Sequence, residues 1–237
     1  MQKILHLAHL KPVAVGSQRY VFVHPHDPDL IVKVPTERYV DRRSGERGKW
    51  WKKLHRKYLR SRHFLVFHRE LHEQFALRAS AAALPPYVQT IVGIVETDLG
   101  MGLVSQAVRG RDNELAPSLL QLLQQDRFGE PARRQLDEFV RWLLESNVVV
   151  GDLNPGNLVF GHDPVLGDHF VVIDGLGDKN LVPLNSFSAR LNRRSKLRRI
   201  ERINAIIAKY ATRDSGEAVP ASEAGGAGLA NAADRLR

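Results

Sequence analysis

Between residues 148 and 178, two short β-prone runs alternate with polar, glycine-rich breaks, and this pattern constrains the fold more than any other part of the chain. Val148-Val149-Val150 leads into Gly151-Asp152-Leu153-Asn154-Pro155-Gly156-Asn157, and Leu158-Val159-Phe160 follows as a strand. A turn over 161–167 returns the chain through Phe170-Val171-Val172-Ile173 to Asp174-Gly175-Leu176-Gly177. As a hairpin, this order sets Asp152 and Asn157 before the first strand and Asp174 directly after the second. Those positions share one end of a hairpin, so three oxygen-bearing side chains can converge there. Hard oxygen ligands of this kind suit magnesium, which keeps waters and recruits substrate phosphates. Glycines at 151, 156, 175 and 177 let the backbone turn tightly or approach a ligand.

The N-terminal third reads as a meander of strands over 13–16, 20–23 and 30–34, with the Pro- and Asp-rich stretch 24–29 as a turn. Gly16 lies between the first two runs, as an ordinary hairpin glycine or as part of a phosphate loop. Lys33 lies inside an apolar strand, where it either snorkels from an edge or faces a site. A helix over 41–61 would set Trp50, Trp51, Leu54 and Tyr58 on one face. A second, over 64–83, carries apolar Leu71, Phe75 and Leu77 with Glu70 and Glu73 between them, and Pro85-Pro86 ends it. Strands over 90–96 and 102–108 follow, then a helical run at 119–123. A longer helix starts near Pro131, with Leu136, Phe139, Val140, Leu143 and Leu144 at amphipathic spacing.

The expected architecture is therefore α+β: a β-rich region over 1–108 with a basic insert at 38–63, then a helical region over 109–210 that contains the hairpin. The segment 211–237 is Ala, Gly, Ser and Glu with few bulky apolar residues, and is expected to be a disordered tail.

The chain has no cysteine, which excludes disulfides and thiolate metal sites. No apolar run approaches the roughly 20 residues that cross a bilayer, and the first residues lack the layout of a signal peptide. The expectation is a soluble, cytoplasmic protein. Its formal net charge of +9 is concentrated over 38–62 and 190–202. Such runs form solvated helical faces, or bind an anionic membrane surface or stack on nucleic acid, although neither contains a nucleic-acid-binding motif. His68 and His72 are spaced i, i+4, but Arg69 stands where a zinc protease carries Glu, so they read as surface histidines.

The Asp-Leu-x-Pro-x-Asn pattern at 152–157 resembles the catalytic loop of protein kinases, and Asp174-Gly175-Leu176 resembles their metal-binding Asp motif. Ile31-Val32-Lys33 is similar to the strand that supplies the phosphate-contacting Lys, and Glu70 follows in the order of its ion-pair partner. The resemblance implies a truncated, bilobal kinase-like fold binding ATP and Mg2+. Lys33 would hold the phosphates and Glu70 orient Lys33. Asp152 would position or deprotonate the acceptor, with Asn157 and Asp174 holding the metal. Gly16 would line the nucleotide.

The chain departs from kinases in having Val150-Gly151 before Asp152, Asn154 in place of a catalytic-loop Lys, and a single glycine in the phosphate loop. It also has no Ala-Pro-Glu motif. Only about thirty-five residues separate Asp174 from the expected tail, too few for helices that grip a protein substrate, which favours a small-molecule, sugar or lipid-headgroup acceptor. A pseudokinase scaffold and an anionic-surface binder are the alternatives.

At a finer level the chain resembles the PhoP-regulatory-network YrbL family. The residues that carry this are Arg69-Glu70-Leu71, Val95-Glu96-Thr97-Asp98-x-Gly100-x-Gly102, the Asn-Pro-Gly-Asn-Leu loop, and Ile173 to Asp178 with Leu181-Val182-Pro183-Leu184.

Overall fold

The computed structural model describes residues 4–16, 18–36, 64–80, 84–178 and 188–214. The order is β1 (Ala14–Val15), β2 (Arg19–His24), β3 (Asp27–Pro35), α1 (Leu65–Ser80), β4 (Ile91–Thr97), β5 (Gly100–Gln106), α2 (Leu119–Gln124), α3 (Glu130–Glu145), β6 (Leu158–Asp163), β7 (Gly167–Val172) and α4 (Ala189–Asp214). The expected helix over 41–61 and its basic insert lie outside the described residues.

β1 to β5 form one antiparallel sheet in the order β1-β2-β3-β5-β4, and β6-β7 form a separate hairpin. The turn expected over 24–29 is shorter than its composition suggests. β2 runs to His24 and β3 starts at Asp27, with Pro28 inside it. Pro28 is tolerated because β3 pairs with β5 only from Leu30 onward.

Strand alternation divides the sheet into two faces. Phe22, Val32, Val34 and Val104 cluster on one, under Leu5 and Leu7. That N-terminal segment is held by Asp98, whose Oδ1 accepts from Leu7 N at 2.7 Å and Ala8 N at 3.2 Å. The other face carries Val21 opposite Lys33, and Lys33 in turn opposite Leu103. Arg19 falls on this face too, two residues before Val21.

The larger core joins α2, α3, α4 and the β6–β7 hairpin around Phe139, Leu143, Leu158, Phe170 and Val172, all fully buried. α3 follows its expected periodicity, with Leu136, Phe139 and Leu143 inward and Val140 and Leu144 at the margin. α1 does not. Its buried face is Phe67, Glu70, Glu73, Gln74 and Leu77, while Phe75 is 67% exposed. Polar side chains face inward there because each meets a buried partner. Gln74 accepts from Ile91 N at 3.1 Å, and Glu73 accepts from Val149 N at 2.6 Å.

α4 continues to Asp214, past the expected start of the tail, and residues 215–237 lie outside the description. It is fastened by Asn192, which donates to Val148 O at 3.1 Å, and by Lys196, whose Nζ donates to Leu143 O and Ser146 O, both at 2.7 Å. Burial outweighs the attraction of Glu73 and lowers Lys196 to about 8 from 10.5. Between those values the unfolded chain binds more protons than the folded one, so stability should rise with pH across that window. The gain is at most about 3 kcal/mol. Denaturant titrations at pH 8 and pH 10.5 should show it in the wild type and not in Lys196→Met.

Candidate functional site

The loops before β6 and after β7 lie side by side. Gly175 O accepts from both Gly151 N at 2.8 Å and Asp152 N at 3.0 Å, and Gly177 N donates to Val149 O at 2.8 Å. Asn157 links the same loops. Its Nδ2 donates to Asp152 O at 2.9 Å, and its carbonyl accepts from Ile173 N at 3.0 Å. Asp152, Asn157 and Asp174 are thereby gathered at one end of the hairpin.

Asn154 has a structural task there, because its Oδ1 accepts from Gly156 N at 2.9 Å and closes the turn. The loop is anchored to α2 through Leu120 N and Pro155 O at 3.1 Å, at a helix start capped by Ser118 and Gln121.

Two glycines are required. Gly175 and Gly177 have φ of +82° and +81°. A Cβ on Gly177 would lie 2.8 Å from Arg69 O, so α1 rests directly on this loop. That contact brings the next residue, Glu70, to Asp174.

Glu70 does not form an ion pair with Lys33. Its partner is Arg19 of β2, whose Nη1 and Nη2 meet the two carboxylate oxygens at 3.0 and 2.5 Å. Arg19 Nη2 also donates to Asp174 Oδ1. The Phe67 ring lies 5.9 Å from the guanidinium carbon. Arg19 and Glu70 are almost wholly enclosed, whereas the Asp174 side chain keeps 37% of its surface exposed.

Lys33 is enclosed among neutral acceptors, Gln89 Oε1 at 2.7 Å and the Ile173 carbonyl. Gln89 is itself held by its donation to Gln106 O at 2.7 Å and by Gln74. The inward-facing amides of α1 and the 84–90 segment thus fix the lysine.

The electrostatics follow. Burial would push the Arg19 guanidinium down, but Glu70 and Asp174 outweigh it and hold it above its ordinary value. Burial would raise Glu70, and Arg19 with Lys33 instead holds it well below the carboxylate range. Burial pushes Lys33 down, against the pull of Glu70. It pushes Asp174 up, with Glu70 adding to the effect and Arg19 opposing it.

Gly16 sits at the β1–β2 turn, its N donating to Arg19 O at 2.8 Å, and so helps place Arg19. Arg19 is the residue missed from sequence. The available signal was its alternation with Val21 and Val23, which assigns it to the same inward strand face.

Among the described residues, no group of three His, Cys, Asp or Glu could hold a metal ion. Asp174 and Asn157 carry the oxygen type that hard cations take where one or two protein ligands are shared with phosphates. No described helix is long and apolar enough to cross a membrane.

These features define a mixed α+β protein with an antiparallel sheet, a helical core and a buried cation–carboxylate cluster between them. The sequence pattern of the family described as PhoP regulatory network protein YrbL matches residues 5–208, and the chain belongs to that family. It is similar to the "Uncharacterized protein YrbL" of Escherichia coli (strain K12) and that of Shigella flexneri. Each is 24% identical over 188 residues, which is 78% of this chain and 79% of the relative.

Proposed function

We propose that this chain is a truncated, bilobal kinase-like protein that binds ATP with magnesium and transfers phosphate to a small-molecule, sugar or lipid-headgroup acceptor. The observation that carries the reading is the joining of Asp152, Asn157 and Asp174 by the paired loops, with Lys33 tied to the carbonyl immediately before Asp174. Bound magnesium would supply positive charge against the charge that develops on the phosphates. Asn157 and Asp174 are the residues to hold it. Lys33 supplies positive charge beside the phosphates, and Asp152 orients the acceptor hydroxyl and takes its proton.

In an acceptor screen with γ-labelled ATP, Asp152→Asn should reduce transfer by about 100-fold or more. Equal transfer by the variant would overturn the assignment of Asp152.

One observation favours a second reading, a regulatory scaffold without transfer. Arg19 occupies the carboxylate that the metal would need. On that reading, label transfer stays at the level of Asp152→Asn with every acceptor.

A further inference from the structure

We infer that Arg19 is an exchangeable cation of the nucleotide site: it holds Asp174 in the ligand-free protein and passes to a phosphate oxygen when a divalent cation takes Asp174. This rests on the nucleotide reading above and adds to it a binding residue that comes from β2.

The geometry gives Arg19 two unequal attachments. Glu70 grips both terminal nitrogens of the guanidinium from the closed side, at 3.0 and 2.5 Å. Asp174, which also touches Glu70, takes a further contact from Nη2, and its own side chain is 37% exposed. Loss of the Asp174 contact therefore leaves Arg19 still held by its two-point grip and by the wall of Phe67, with an Nη2 donor released beside Asp174. Lys33 has no comparable split attachment, because both its partners, Gln89 Oε1 and the Ile173 carbonyl, belong to the enclosed wall.

A divalent cation and a guanidinium repel one another, and both seek the Asp174 carboxylate. With Asp174 taken by a metal, Arg19 would give up that contact, and its planar guanidinium would find charge-assisted replacement hydrogen bonds at an anionic phosphate. The β2–β3 register keeps Arg19 beside Lys33, since Arg19 faces Pro35 and Val21 faces Lys33. Arg19 would then contact the phosphate directly, with the Lys33 charge on the adjacent strand behind it.

The test uses Mn2+ alone, followed by EPR, and Mg2+-ATP, followed by calorimetry. In Arg19→Met/Glu70→Met, which removes both buried charges together, Mn2+ alone should bind about tenfold tighter, because Asp174 is released. Mg2+-ATP should bind more weakly, by up to about tenfold, because losing a charged partner worth about 10- to 100-fold outweighs the roughly tenfold gain at the metal. Glu70→Met, which retains Arg19, should bind nucleotide more tightly than the double variant. Arg19→Lys keeps the charge against Glu70 but loses the fork, and should bind Mg2+-ATP about tenfold weaker. Opposite signs for metal and nucleotide are the signature that a purely structural arginine would not give. Wild-type nucleotide affinity in Arg19→Lys and in the double variant, with binding lost in Asp174→Ala, would overturn the role of Arg19 and leave the nucleotide site standing. No binding by the wild type would overturn both.

Discussion

Arg19→Ala should lower the melting temperature by on the order of 10 °C. The alanine leaves Glu70, 2% exposed, without the guanidinium that now holds both its oxygens. Removing one partner of a buried ion pair costs about 3–5 kcal/mol, because the remaining charge keeps its desolvation penalty without compensation. For a chain of this size each kcal/mol corresponds to about 2–4 °C. Lys33 lies close enough to Glu70 to attract it, which places the effect nearer the lower end. Arg19→Met/Glu70→Met should recover most of the loss, since two apolar side chains of similar volume can fill the space of a buried pair. A scanning-calorimetry comparison of the three proteins checks this. A melt of Arg19→Ala within about 2 °C of wild type, which corresponds to no more than about 1 kcal/mol for a chain of this size, would show that Glu70 has another adequate partner.

Gly175→Ala should be the most damaging change of a single methyl group. At φ of +82° an alanine is strained, and its Cβ would stand 2.5 Å from Asp152 O and 2.7 Å from Asp152 Cβ. The left-handed backbone costs about 1–2 kcal/mol, and the overlap about 1–3 more. Neither contact is with a flexible side-chain end, so relief requires the two loops to separate. That would also break the bonds from Gly151 N and Asp152 N to Gly175 O. Stability and nucleotide binding should therefore fall together. Gly93→Ala is the control: a Cβ there meets nothing within 4 Å, and its effect should stay within about 0.5 kcal/mol.

Much of this was legible in the sequence because it depends on local pattern. The 3.6-residue spacing of Leu136, Phe139 and Leu143 marked the buried face of α3. The apolar runs around 158 and 170, separated by a turn, marked a hairpin with Asp152, Asn157 and Asp174 at one end. Two features could not be read this way. α1 buries Glu70, Glu73 and Gln74 and exposes Phe75, which inverts the usual pattern, because its neighbours are polar groups distant in sequence. Arg19 meets Glu70 and Asp174 across separations of 51 and 155 residues. Order along the chain suggested a Lys33–Glu70 pair, but only the packing of β2 against α1 shows which cation reaches the carboxylate first.

The central claim is that Asp174 marks a magnesium–nucleotide site, and a thermal melt of wild type and Asp174→Ala, each with and without Mg2+-ATP, tests it most directly. At about 100 times its dissociation constant a ligand adds about 2.7 kcal/mol, a rise of about 5–10 °C for this chain. The rise is expected in the wild type, should depend on magnesium, and should be lost in Asp174→Ala. An unshifted wild type at millimolar nucleotide, or an equal shift in the variant, would contradict it.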